Sequence, residues 1–227
     1  MIIPFLLGLF LQEPAQAKPA SIRPAVLSLA VEKSGSRLFV GLADRLAVME
    51  PVSGKVLQVI QFKEGPVTAL AFDAGRNQLY AASGVAGESG ILLVFDCPLG
   101  SPVREMAKLA GPKDLLANLA LSKDGKLLAG VGYDRQVHLW DLENGKQPVA
   151  RQPLKDHSDW VRALSFSPDN QFLATGGGDR SVKVWDLKQG KLKESFNDAT
   201  DVVHSALWTE DGAFVLSGGA DRTLRQR

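Results

Sequence analysis

The chain of 227 residues holds a single cysteine, Cys97, so no disulfide can form within it. Histidine is nearly as scarce. His138, His157 and His204 lie far apart in sequence, whereas a zinc site needs three or four converging ligands. Basic and acidic residues balance at 26 to 25 with no basic cluster. Phosphate binding depends on grouped Lys and Arg, so nucleic acid is excluded as an expected partner. No apolar run approaches the ~20 residues that a helical membrane span requires. Motifs of chemistry are missing too: there is no Gly-x-Ser-x-Gly, no His-Glu-x-x-His and no Cys-x-x-Cys-His. Gly-Lys pairs at 54, 125, 145 and 190 run on into Val56, Leu127, Gln147 and Leu192, so none completes a phosphate loop; they read as hairpin turns. The expectation is a chain without metal, cofactor or catalytic residues.

What the sequence does have is a repeated pattern of short strands. Between Asp156 and Asp186, VRALSF (161–166), FLAT (172–175) and SVKVW (181–185) are separated by Ser-Pro-Asp-Asn and Gly-Gly-Gly-Asp. Short runs rich in Val and Phe, punctuated in this way, are the all-β signal. Trp140-Asp141 and Trp185-Asp186 stand 45 residues apart, and Asp-Arg recurs at 44, 134, 179 and 221. A period of ~40–45 residues carrying Trp-Asp marks four-stranded propeller blades.

On these residues the chain resembles the WD-repeat (WD40-type) β-propeller family over nearly everything after residue 24. The implied organisation is all-β, with blades near 25–62, 66–108, 115–152, 157–197 and 202–227. Met49-Glu50 and Phe95-Asp96 stand in place of Trp-Asp in the first two blades, and the turn at 84–90 is about four residues longer than its counterpart in the fourth. Aligned on the fourth blade, Arg227 falls at the place of Trp185. About four and three-quarter blades are therefore expected, against the ~300 residues of a seven-bladed ring. A fragment of a longer propeller is the leading reading, and the unclosed last blade is a candidate for self-association.

Residues 1–17 are different in kind. An apolar run of eleven, MIIPFLLGLFL, precedes Ala15-Gln16-Ala17, a small-x-small pattern at the distance of a signal-peptide cleavage site, although the stretch carries no Lys or Arg. Residues 18–24, with Pro19 and Pro24, read as a linker. The expectation is a bacterial exported member, secreted or periplasmic, or cytoplasmic if the leader is not a signal.

The resemblance implies a buried hydrogen-bond chain in the fourth blade: Trp185 to Thr175, Thr175 to His157, His157 to Asp179. The same residues could be written as a hydroxyl–imidazole–carboxylate triad, but a hydroxyl spent inside a blade cannot meet a substrate. The third blade keeps Asp134 and Trp140 but has Pro112 and Gly130 at the other places; the fifth keeps Ser217 and Asp221 but has Ala199 and Arg227. Their chains are expected to be partial. The resemblance also places a partner-binding top face. Most residues carried onto it are small, while Tyr133, Trp160, Arg162 and His204 are the types that anchor interfaces. The expected function is a non-enzymatic scaffold for protein partners. The alternative is the propeller module of a larger exported enzyme whose catalytic part lies elsewhere.

Overall fold

The computed structural model describes residues 25–143 and 147–227. The leader 1–17, the linker 18–24 and the Gly145-Lys146 turn lie outside the described residues. Among the described residues twenty strands form five antiparallel sheets. The first holds β1 (Ser28–Val31), β2 (Leu38–Gly41), β3 (Arg45–Met49) and β4 (Val56–Gln61). The second holds β5 (Ala69–Asp73), β6 (Gln78–Val85), β7 (Ser89–Asp96) and β8 (Arg104–Ala110). The third holds β9 (Leu116–Leu121), β10 (Leu127–Gly132) and β11 (Gln136–Asp141), with an outer strand broken into β12 (Val149–Ala150) and β13 (Leu154–Lys155), both paired to β11. Pro153, which lacks an N–H for the ladder, falls in that break. The fourth holds β14 (Val161–Phe166), β15 (Phe172–Gly177), β16 (Val182–Asp186) and β17 (Lys191–Phe196). The fifth holds β18 (Val203–Trp208), β19 (Val215–Gly219) and β20 (Leu224–Gln226).

The sheets stack in chain order, first strand against first strand: β1 on β5, β5 on β9, β9 on β14, β14 on β18. This is an all-β, incomplete WD-repeat propeller. Alternation along each strand supplies both faces of a blade. On β16, Val182 and Val184 pack toward the fifth sheet while Trp185 packs back against the third. Each of the first three seams buries a large side chain from the end of a third strand, Phe95, Trp140 and Trp185 in turn, together with the residue two further on, Cys97, Leu142 and Leu187. The drifted first blade buries Met49 in a cluster with Leu38 and Val40.

The extra residues at 84–90 lengthen strands instead of forming a long turn. β6 and β7 stay paired out to Val85↔Ser89. Glycine permits this, because a Cβ at Gly90 would lie 2.4 Å from the Asp114 carbonyl and one on Gly65 would lie 2.2 Å from that of Gly84.

Two arginines bind neighbouring blades at their turns. Arg37 pairs with buried Glu32 (Nη2 to Oε1, 2.7 Å) and donates to the Cys97 carbonyl at 2.6 Å. Arg76 pairs with Asp73 at 2.6 Å and donates to the carbonyls of Gly125 and Leu142 at 2.6 and 2.8 Å. The later blades use a different turn. Ser122, Ser167 and Thr209 each donate to the Asp two residues on, and each accepts from the backbone N–H five residues on.

Candidate functional site

The fourth blade builds the hydrogen-bond chain. β15 carries Thr175 directly opposite β16, and Trp185 Nε1 donates to Thr175 Oγ1 at 2.8 Å. The same hydroxyl is 2.7 Å from His157 Nε2, and His157 Nδ1 is 2.7 Å from Asp179 Oδ2. Thr175 is fully buried. Its hydroxyl is engaged on both sides, so it cannot act as a nucleophile. Asp179 also accepts from the Ser181 hydroxyl and N–H at 2.8 and 3.2 Å. Burial pushes its carboxyl upward, but the hydrogen bond and charge of His157 and the Ser181 donors outweigh this and bring it down to about 2.

The other blades improvise. In the third, Gly130 stands at the place of Thr175, and a Cβ there would meet the Trp140 ring at 3.0 Å. Asp134 is 2.7 Å from Nε2 of His138, on the third strand of its own hairpin. Sequence reasoning missed this pair, although the separation of four residues across a turn was visible. In the fifth, the Arg227 guanidinium donates to Ser217 Oγ and to Asp198, and Arg225 pairs with Asp221 at 2.7 Å. The aligned network there is ionic, held by a residue standing where an indole stands elsewhere.

At 134, 179 and 221 the Asp-Arg repeat has a backbone cause, which Asp44-Arg45, at the start of β3, does not share. Arg135, Arg180 and Arg222 adopt left-handed φ of 65°, 62° and 61°, and the preceding Asp accepts from the N–H two residues on at 3.2, 3.2 and 3.1 Å. The carboxylate closes the turn that the arginine's backbone makes.

At the top of the blades, Tyr133 follows β10 and Trp160 precedes β14. Their rings lie 6.2 Å apart at 30°, joining the third and fourth blades. Trp160 is half-buried with its indole over Gly178, where a Cβ would sit 2.7 Å from Nε1. Tyr133 is 47% exposed. Arg162 and His204 project from the inner strands β14 and β18 and are exposed. Asn118, unnoticed in the sequence, donates its amide to the Arg162 carbonyl at 2.9 Å and fixes β9 against β14.

Among the described residues no group of three or more His, Cys, Asp or Glu is placed to hold a metal ion. No helix there is long and apolar enough to cross a membrane. Burial raises the Cys97 thiol to about 12, which keeps it protonated and unreactive at neutral pH.

Five stacked antiparallel sheets with an indole–hydroxyl–imidazole–carboxylate chain define a WD-repeat propeller. The chain belongs to the WD40 family (WD domain, G-beta repeat), whose profile matches residues 104–141, 147–186 and 190–226. Each matched window begins on the outer strand of one sheet and ends on the third strand of the next. Among curated proteins the chain is similar to WD repeat domain phosphoinositide-interacting protein 2 of Gallus gallus, 29% identical over 107 residues, 47% of this chain and 24% of that protein. It is also similar to U3 snoRNP-associated protein-like YAOH of Oryza sativa subsp. japonica, 28% identical over 147 residues, 58% of this chain and 27% of the relative. A third is the periodic tryptophan protein 2 homolog of Schizosaccharomyces pombe, 29% identical over 132 residues, 57% and 15% of the two chains. The chain spans about a quarter or less of the length of these relatives. Their source corrects the sequence reading. They are eukaryotic proteins, so the assignment to a bacterial exported group is withdrawn and the family alone stands.

Proposed function

We propose that the chain is a non-enzymatic scaffold that holds a protein partner on the top surface marked by Tyr133, Trp160, Arg162 and His204. The observation that carries this reading is the Tyr133–Trp160 pair, which spans two blades with Tyr133 47% exposed, while Arg162, two residues after Trp160, is exposed as well. Aromatic and arginine side chains dominate interface energetics when desolvated by a partner. A protein is preferred to the phosphoinositide in one relative's name because lipid phosphates call for clustered cations, and this sequence has 26 basic residues against 25 acidic ones without a basic run.

The test is to identify a binder by affinity capture and titrate the purified pair by calorimetry beside a melting curve. Trp160→Ala and Arg162→Ala should each weaken binding by ~2 kcal/mol or more with little change in melting. Unchanged affinity in the Tyr133→Ala/Trp160→Ala double variant, with melting intact, would move the interface off the top surface.

A further inference from the structure

The Asp-Arg turns of the third and fourth blades divide their charge. Asp134 and Asp179 keep only 8% and 4% of their side chains exposed and are taken up by His138 and His157. Arg135 and Arg180, the next residues, are exposed, as is Arg162. Six other arginines, at 37, 45, 76, 151, 225 and 227, are paired with carboxylates. Among the described residues the guanidinium groups of Arg135, Arg162 and Arg180 make no hydrogen bond or ion pair. Both blades have a neighbouring sheet on each side, so these side chains are not exposed by an open seam.

The three arginines belong to the segments that carry the aromatic pair. Arg135 lies two residues after Tyr133, Arg162 two after Trp160, and Arg180 two after Gly178, on which the Trp160 indole rests. The carboxylates of the loops that enter β9 and β14 are engaged. Asp114 accepts from the N–H groups of Leu115 and Gly87, both at 2.7 Å, and Asp159 from that of Trp160 at 2.8 Å, while Asp156 pairs with Lys183 at 2.5 Å. Three planar guanidinium groups remain uncommitted, each matched in shape to a carboxylate. They are spread over two blades. That spread suits a polypeptide crossing the seam, whereas a single lipid headgroup would need its cations together.

We propose that the partner held on the top surface presents an acidic segment. An apolar side chain of that segment sits on the Tyr133–Trp160 pair, and carboxylates on either side of it are taken by Arg135, Arg162 and Arg180. This rests on the top surface being the place where a partner docks and adds the chemistry of what docks there. Asp159, exposed beside Trp160, is the charge that opposes it.

The four tryptophans give separable indole N–H resonances in a ¹⁵N spectrum of the full chain, and the Trp160→Phe variant assigns the one of interest. The probes are a blocked heptapeptide, with leucine between Ser-Glu-Glu and Glu-Glu-Ser, and its glutamine and lysine analogues. The glutamate peptide should shift the Trp160 resonance saturably, while the analogues leave it in place over the same concentrations. Arg135→Gln, Arg162→Gln and Arg180→Gln should each raise the midpoint at least threefold with melting unchanged. Asp159→Asn keeps an acceptor for the Trp160 N–H but removes the opposing charge, and should lower the midpoint. An equal response to the glutamine peptide would overturn the acidic partner and leave the top surface standing as a docking site. A resonance unmoved by the glutamate peptide, a stronger response to the lysine peptide, or a midpoint that the arginine changes leave in place would overturn it too. A response to inositol trisphosphate in place of the glutamate peptide would assign the arginines to a lipid headgroup and likewise overturn it. A saturable shift confined to the Trp140, Trp185 or Trp208 resonances would refer binding elsewhere and overturn both readings.

Discussion

The Thr175 hydroxyl shows how one atom can tie a blade together. It receives the Trp185 indole proton and meets His157, so removing either neighbour leaves a polar group buried without its partner. Trp185→Ala should cost about 3–5 kcal/mol, since it empties an aromatic site in the third seam and orphans the hydroxyl. His157→Ala should cost about 1–3 kcal/mol; urea unfolding of both variants is the measurement. An unshifted midpoint for His157→Ala would contradict the structural role. Acid acts on the same chain. The Asp179 carboxyl falls from its ordinary 3.8 to about 2 in the fold, so its contribution is complete above pH ~4 and is lost as pH falls through 2. That contribution is about 2 kcal/mol. The stability gap between the native chain and Asp179→Asn should therefore shrink by about that amount between pH 5 and pH 2. A gap that stays constant would show that the carboxyl is not held down by its neighbours.

At the scale of the element, strands were easier to read than what joins them. VRALSF, QVHLWD and KLKESF coincide with β14, β11 and β17, because period-2 alternation and Gly, Pro, Asp or Asn at the ends are local properties. His157, Thr175, Asp179 and Trp185 could be grouped because all four lie in one repeat at family spacing. The Arg37 and Arg76 clamps could not be read. Their acceptors are carbonyls in the next blade, 60 residues away at Cys97 and 66 at Leu142, and carbonyls leave no mark on a sequence. The Asp-Arg dipeptide was visible as a period but not as a conformation. Left-handed φ costs a non-glycine residue ~1–2 kcal/mol, partly offset by the chain entropy that glycine adds to the unfolded state. Arg180→Gly should therefore raise stability by up to ~1 kcal/mol, seen as a higher melting temperature. A clear fall would mean that the arginine side chain contributes more than its backbone costs.

For the molecule as a whole, stability is distributed along a line of seams, each made by sheets adjacent in the chain. Three are filled by Phe95, Trp140 and Trp185, and the first two are also clamped by arginine. The family's windows are out of step with the sheets by one strand: 147–186 begins with the outer strand of the third sheet and ends within the fourth. Such a window can be copied or lost in evolution without damage to a sheet. If it were excised, β17 would follow β11 directly and could serve the third sheet as its outer strand, as β12 and β13 do now. Duplication would work in reverse, adding one four-stranded blade between the third and the last. A propeller written in this way can change its number of blades in single genetic steps, each leaving the neighbouring sheets with the strands they had before.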